Sequence, residues 1–299
     1  MPKIQTARLT MWYERYDAPV RKDDAPMILH AGLSMQSVFW PDSLIETLND
    51  EGFDVIVFDN RDIGQTEHLH GVRPPAAPKI VAARLAQKAI DVPYRVTDMA
   101  EDTVALMDAL DIPVAHIAGM SMGGMISQCV AIQHPSRVKS LCSWASSTGA
   151  LTDVMIAPRL IPTMLKKPSN DPEERIRAGV ELFMRIGTKK YPSDVERLYA
   201  QIRLAAERAQ GDAQGVERQM AAILATPSRR QALTQLKVPS LVIHGDQDPL
   251  QPLRGGKATA RLIPNAEFFL IRGYGHNLPD ELMQPIAQRM AKNARRAAS

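Results

Sequence analysis

Short apolar runs alternate with amphipathic stretches along most of the chain. The runs lie at 26–30 (PMILH), 54–59 (DVIVFD), 114–118 (VAHIA), 138–145, 239–244 (PSLVIH) and 266–272 (AEFFLIR). Several are apolar on both faces, as central parallel strands covered on both sides must be. Between them the spacing turns helical. Met99, Thr103, Leu106 and Leu110 share one face of a predicted helix, and 124–134 and 282–292 predict two more. This alternation predicts an α/β fold, a mostly parallel central sheet flanked by helices. Leu9, Met11 and Tyr13 recur at every second position, which predicts an antiparallel edge strand ahead of the parallel part.

One region breaks the pattern. Residues 150–236 contain no convincing strand and carry helical stripes instead: Ile176, Val180 and Phe183; then Val195, Leu198, Tyr199, Ile202, Ala205 and Ala209; then Val216, Met220 and Ile223. The reading is an all-helical insertion between two strands. The core is then 1–149 plus 237–299, about 210 residues, which is enough for one domain. The segment 69–93 holds Pro74, Pro75 and Pro78 ahead of a basic helical stretch and reads as a surface excursion.

Composition narrows the function classes. Lys and Arg number 36 against 33 Asp and Glu, a net charge of +3 in 299 residues. So small an excess gives no electrostatic reason to expect a nucleic acid or an anionic membrane as partner. Cys129 and Cys142 both lie in apolar segments and read as buried, inert thiols. The longest uncharged stretch, 112–136, contains His116, Gln128, Gln133, His134 and a Gly-Ser cluster, so it is not a membrane span. The first residues have no apolar signal region, and a cytoplasmic location is expected.

Gly119-Met-Ser121-Met-Gly123 is a G-x-S-x-G motif. Chance alone would place such a match in a chain of this composition roughly one time in 20. Its context carries more weight, because it follows the run VAHIA and opens a helical stretch. A sharp strand-to-helix turn there would expose the serine hydroxyl, and the flanking positions must be very small. A serine needs a base, and the base needs an orienting carboxylate. Of the seven histidines, His30, His116 and His244 sit in or at the end of predicted strands and read as structural. His68 and His70 form an isolated H-x-H, which without a third clustered ligand reads as surface rather than as a metal site. His276 follows the last strand in the Gly-flanked loop GYGHN and is the candidate base. PSLVIH runs into Gly245-Asp246-Gln247-Asp248, where two aspartates compete as the acid.

With these residues the chain resembles the α/β-hydrolases, whose order is Ser, then Asp, then His. The HGxxD pattern is present as His244-Gly245-Asp246-Gln247-Asp248, and the resemblance assigns the acid to Asp248. GMSMGG carries over Ser121 as nucleophile and GHNLP carries over His276. The loop Ala31-Gly32-Leu33-Ser34 corresponds to the family's oxyanion loop, so the Leu33 and Met122 N–H groups are the implied oxyanion donors; Ala31 stands where the family has histidine. The segment 58–66, FDNRDIGQT, is similar to one in a bacterial subgroup that includes anthracycline methylesterases and related carboxylesterases, with Thr66 replacing the usual serine. The resemblance makes 150–236 a helical cap over the site. Met35 and Met120, with Met122, are candidate pocket residues; Met155, Met164, Met184 and Met220 lie in the cap, while Met125 and Met220 are expected to pack in the core. Arg61 reads as a structural loop arginine. The implied activity is hydrolysis of small to medium hydrophobic carboxylic esters through an acyl-enzyme, with no cofactor and no metal, by a monomer or homodimer. The same triad serves lactone, C–C bond and perhydrolysis chemistry, and a slow-turnover ligand receptor is the alternative of another class.

Overall fold

The apolar runs form strands β3 (Met27–His30), β4 (Val55–Phe58), β5 (Ala115–Met120), β6 (Val138–Trp144), β7 (Ser240–Gly245) and β8 (Glu267–Ile271). These come from a computed structural model that describes residues 3–153, 160, 169, 171–209 and 214–297. Met155 and Met164 lie outside the described residues. The amino-terminal alternation forms β2 (Thr10–Tyr16), which is antiparallel as expected but is not the edge. A further strand, β1 (Lys3–Gln5), pairs with it and takes the edge. Three residues are too few to show a period of two.

The sheet order is β1-β2-β4-β3-β5-β6-β7-β8, parallel from β4 onward. Alternation sends neighbouring residues to opposite faces. Ile28 packs in one buried cluster with Met99, Leu106, Met125 and Ile126, while Leu29 packs in the other with Leu44, Leu48, Met283 and Ile286. The first cluster lies under α3 (Val96–Ala109) and α4 (Met122–Gln133). The second lies under α1 (Asp42–Asp50) and α10 (Asp280–Arg295). Helix α2 (Ala77–Leu85) falls within the 69–93 excursion. Its Ile80 forms a small third cluster with Val92 and Ala221.

Between β6 and β7 the described residues hold α5 (Pro172–Ile186), α6 (Val195–Arg208), α7 (Gln214–Ala225) and α8 (Arg230–Leu233), and no strand. Helix α9 (Leu253–Leu262) follows β7. Asp171 and Asp194 cap α5 and α6 by accepting the Glu173 and Arg197 N–H groups. The stripe Val216, Met220, Ile223 is not the face α7 buries. Val216 is exposed, and Gly215, Arg218, Gln219, Ala221 and Ala222 face inward. The reason is a fully buried ion pair. The Arg218 Nε and a terminal nitrogen each donate at 2.9 Å to the two oxygens of Asp62, in the loop after β4. No helix among the described residues is long and apolar enough to cross a membrane. Cys129 and Cys142 are free and buried, and burial raises both thiol pKa values.

His30, fully buried, bonds the Thr103 hydroxyl at 2.9 Å through Nε2. Burial lowers its pKa to about 4, so the folded state favours the neutral ring and the unfolded chain binds the extra proton. Its contribution to stability is therefore full above the unfolded value and is lost as pH falls from about 6.5 to about 4, by about 3 kcal/mol. Urea unfolding at pH 7 and pH 4.5 should show a smaller acid-induced loss for His30→Gln than for the wild type. Equal losses would remove His30 as a cause.

Candidate active site

The parallel strands end on one edge of the sheet, and every candidate residue leaves from that edge. Ser121 joins β5 to α4 with φ 58° and ψ −120°, a strained conformation for a residue with a side chain. Its N–H donates to the Trp144 carbonyl at 2.9 Å, and its carbonyl accepts from Ser146 Oγ at 2.8 Å. A Cβ on Gly119 would collide with the Gly123 carbonyl, and one on Gly123 with the His30 carbonyl. The two motif glycines are thus required by backbone approaching backbone. Met122 begins α4, so its N–H has no acceptor within the helix, and the helix terminus adds positive potential beside Ser121.

The loop after β3 passes against this turn. A Cβ placed on Gly32 would lie 3.4 Å from Ser121 Cβ and 3.3 Å from Met35 Sδ. Leu33 follows in a turn closed by Met35 N–H donating to the Gly32 carbonyl at 3.2 Å, with Ser34 at φ 61°. Met35 is half-buried and flanks Gly32 along with Ser121, whereas Met120, Met122 and Met125 are buried within the two core clusters. Met184 is exposed and Met220 half-buried.

Between the competing aspartates the geometry decides. Asp248 Oδ2 lies 2.6 Å from His276 Nδ1. Its Oδ1 accepts the Leu250 and Gln251 N–H groups at 2.9 and 2.8 Å, and its side chain is fully buried. Asp246 Oδ1 instead accepts the Gly273 N–H at 2.6 Å and shapes the loop that carries His276. An imidazole that donates Nδ1–H to a buried carboxylate keeps its Nε2 lone pair for a proton. The other strand histidines are engaged elsewhere: His116 Nδ1 with Ser140 Oγ at 2.8 Å, and His244 Nε2 with the Gln251 carbonyl at 2.7 Å. His68 Nε2 faces the Gly64 carbonyl at 3.1 Å and its ring lies 5.9 Å from that of His70. Among the described residues no three His, Cys, Asp or Glu side chains cluster to hold a metal.

Arg61 is structural, paired with Asp102 and lying over the Tyr94 ring. Thr66 keeps a bridging role, donating to the Asp59 carbonyl at 2.7 Å and accepting the Trp12 N–H at 3.0 Å. Sequence reasoning missed the braces from the insertion. Gln219 of α7, 1% exposed, accepts the Ser34 N–H at 3.1 Å and donates to the Arg61 carbonyl at 2.9 Å, which ties down the loop beside Ser121. Arg208 of α6 reaches Asp59 at 3.0 Å and covers the Trp12 ring. No spacing signals such contacts, because the partners lie about 150 residues apart in the chain.

A strained serine at a strand-to-helix turn and a carboxylate–imidazole pair, on one edge of a sheet with a single antiparallel strand before β3 and β4, define a hydrolase architecture. The chain belongs to the alpha/beta hydrolase fold family, which it matches over residues 25–281. It is 27% identical to the rhodomycin D methylesterase of Streptomyces peucetius over 98% of both chains. Among solved structures it resembles a meta-cleavage product hydrolase from Pseudomonas fluorescens, with TM-score 0.76 and 18% identity over 99% of this chain and 98% of that one. It also resembles a thermophilic esterase from Thermogutta terrifontis, with TM-score 0.69 and 22% identity over 100% and 99%.

Proposed function

We propose that this chain is a serine carboxylic ester hydrolase, and the observation that carries the reading is His276 held by buried Asp248 while Ser121 sits on its strained turn. Ser121 Oγ attacks the ester carbonyl carbon as its proton passes to His276 Nε2. The Leu33 and Met122 N–H groups hold the oxyanion, and Asp248 stabilises the imidazolium. His276 then returns the proton to the departing alkoxide, releasing the alcohol. Water, activated by the same base, attacks the acyl-enzyme and frees the acid and Ser121. The full-length likeness to a methylesterase supports ester chemistry. The helical segment 150–236 is read as a cap over the core 1–149 and 237–299. The enzyme is placed in the cytoplasm, with a small-molecule ester as its partner.

The pocket is read as apolar and deformable. What supports it is Met35, which flanks Gly32 together with Ser121: a Cβ on Gly32 would meet the sulfur of one and the Cβ of the other. Each buried methylene should gain about 0.8 kcal/mol, close to fourfold in binding. Across p-nitrophenyl esters from acetate to palmitate, kcat/KM should climb to butyrate or hexanoate and then fall as the cap obstructs longer chains. A maximum at laurate or beyond would refute this account of the pocket.

A further inference from the structure

The loop carrying His276 is gripped from two sides. On one side stands the acid loop. Asp248 holds His276 Nδ1 at 2.6 Å, Asp246 Oδ1 takes the Gly273 N–H at 2.6 Å, and the Tyr274 carbonyl takes the Gln247 N–H at 3.0 Å. On the other stands the connection from α5 to α6. The His276 N–H donates to the carbonyl of Ile186, the last residue of α5, at 2.8 Å. Thr188 Oγ1 donates to the Gly273 carbonyl at 2.7 Å. Asn277, 1% exposed, spends its amide on the Tyr191 carbonyl at 2.8 Å and on Ser193 Oγ at 3.0 Å. Its main-chain carbonyl accepts from the buried Tyr274 hydroxyl at 2.6 Å, and the Tyr191 ring stands edge-on to Tyr274. The joint is close-fitting: a Cβ on Gly275 would lie 2.5 Å from the Ile186 carbonyl, and one on Gly187 3.1 Å from Asn277 Nδ2.

The acid loop fixes the imidazole at Nδ1 and the main chain at Gly273 and Tyr274, while the main chain of His276 itself is held from the other side, by the Ile186 carbonyl. Glycines at 273 and 275 give that backbone little stiffness of its own. We infer that the connection 187–193, together with the end of α5, sets the position of His276, with Asn277 as its positioning residue. This rests on the reading of His276 as the base. The insertion then contributes to the chemical step as well as covering the site, and displacing it would carry the base out of line. Neither Asn277 nor Thr188 touches the reacting atoms; both act through the loop.

A residue that only shapes the pocket changes KM. One that aligns the base changes kcat, and a misplacement of about 1 Å costs about 10²-fold in rate. The test measures kcat and KM on p-nitrophenyl butyrate, together with Tm, for Asn277→Ala, Thr188→Val and Thr188→Ser. The expected result for Asn277→Ala is a kcat loss of about 10²-fold with KM within about threefold. Thr188→Val should lose kcat in the same sense, and Thr188→Ser, which keeps the hydroxyl, should restore it. The rate of serine labelling by a fluorophosphonate should fall in parallel. Folded Asn277→Ala with wild-type kcat, a loss confined to KM, or a Thr188→Ser defect equal to that of Thr188→Val would each overturn the inference. If Asn277→Ala does not fold, the Thr188 pair decides alone. Failure of the underlying reading looks different, because Ser121→Ala would then retain activity.

Discussion

Ser121→Ala should lower kcat on any accepted ester by about 10⁴–10⁶-fold, since removing the nucleophile of a triad disables the whole unit. The fold should survive. The turn is shaped by Gly119 and Gly123 meeting backbone, and by the Ser121 N–H and carbonyl, none of which the substitution alters. Alanine carries the same Cβ into the same positive φ, so the strain at this position persists and Tm should change little. A fluorophosphonate should label the wild type at Ser121 and leave the variant unlabelled, with mass spectrometry of the peptide as the measurement. Label on another serine would remove Ser121 from the reaction.

Asp248→Asn should lower kcat by about 10³–10⁴-fold through the imidazole tautomer. The geometry dictates how. The Leu250 and Gln251 N–H groups both donate to Oδ1, so an asparagine must place its amide oxygen there. Its NH₂ then faces His276 Nδ1 at the position Oδ2 occupied. Two donors cannot share one hydrogen bond, so the ring moves its proton to Nε2 and loses the lone pair that would accept from Ser121. At Asp246 the same change leaves an amide oxygen able to accept the Gly273 N–H, and the loss there should be less than about tenfold. Measuring both variants on one ester under matched conditions checks the assignment. A larger loss at Asp246 than at Asp248 would reverse it.

The two aspartates show where reading the chain stopped. Spacing alone left both as candidates two residues apart after β7, and only the resemblance to a family preferred Asp248. The hydrogen bond to His276 separates them because a two-residue step along a turning loop points the carboxylates at different targets, one at an imidazole and one at a backbone N–H. The helical stripes show a second limit. The apolar side of α7 suggested by Val216, Met220 and Ile223 lost to a face bearing Arg218 and Gln219. Hydrophobic periodicity registers apolar burial and is blind to a charge that finds its counter-ion in a distant loop.

The signals legible along the chain are local: the parallel strands as two-sided apolar runs, the helices between them, the helical character of the described residues between β6 and β7, and the strand–turn–helix setting of Ser121. Each of these is a preference of a few adjacent residues for one backbone shape, and neighbouring positions suffice to express it. Pairing between distant segments is set only when the fold assembles. The Arg218–Asp62 and Arg208–Asp59 ion pairs, the Gln219 brace and the grip of 186–193 on the His276 loop all join segments far apart in the chain. Their energy depends on burial and mutual geometry that exist only once the sheet has assembled, so no pattern along the chain records them.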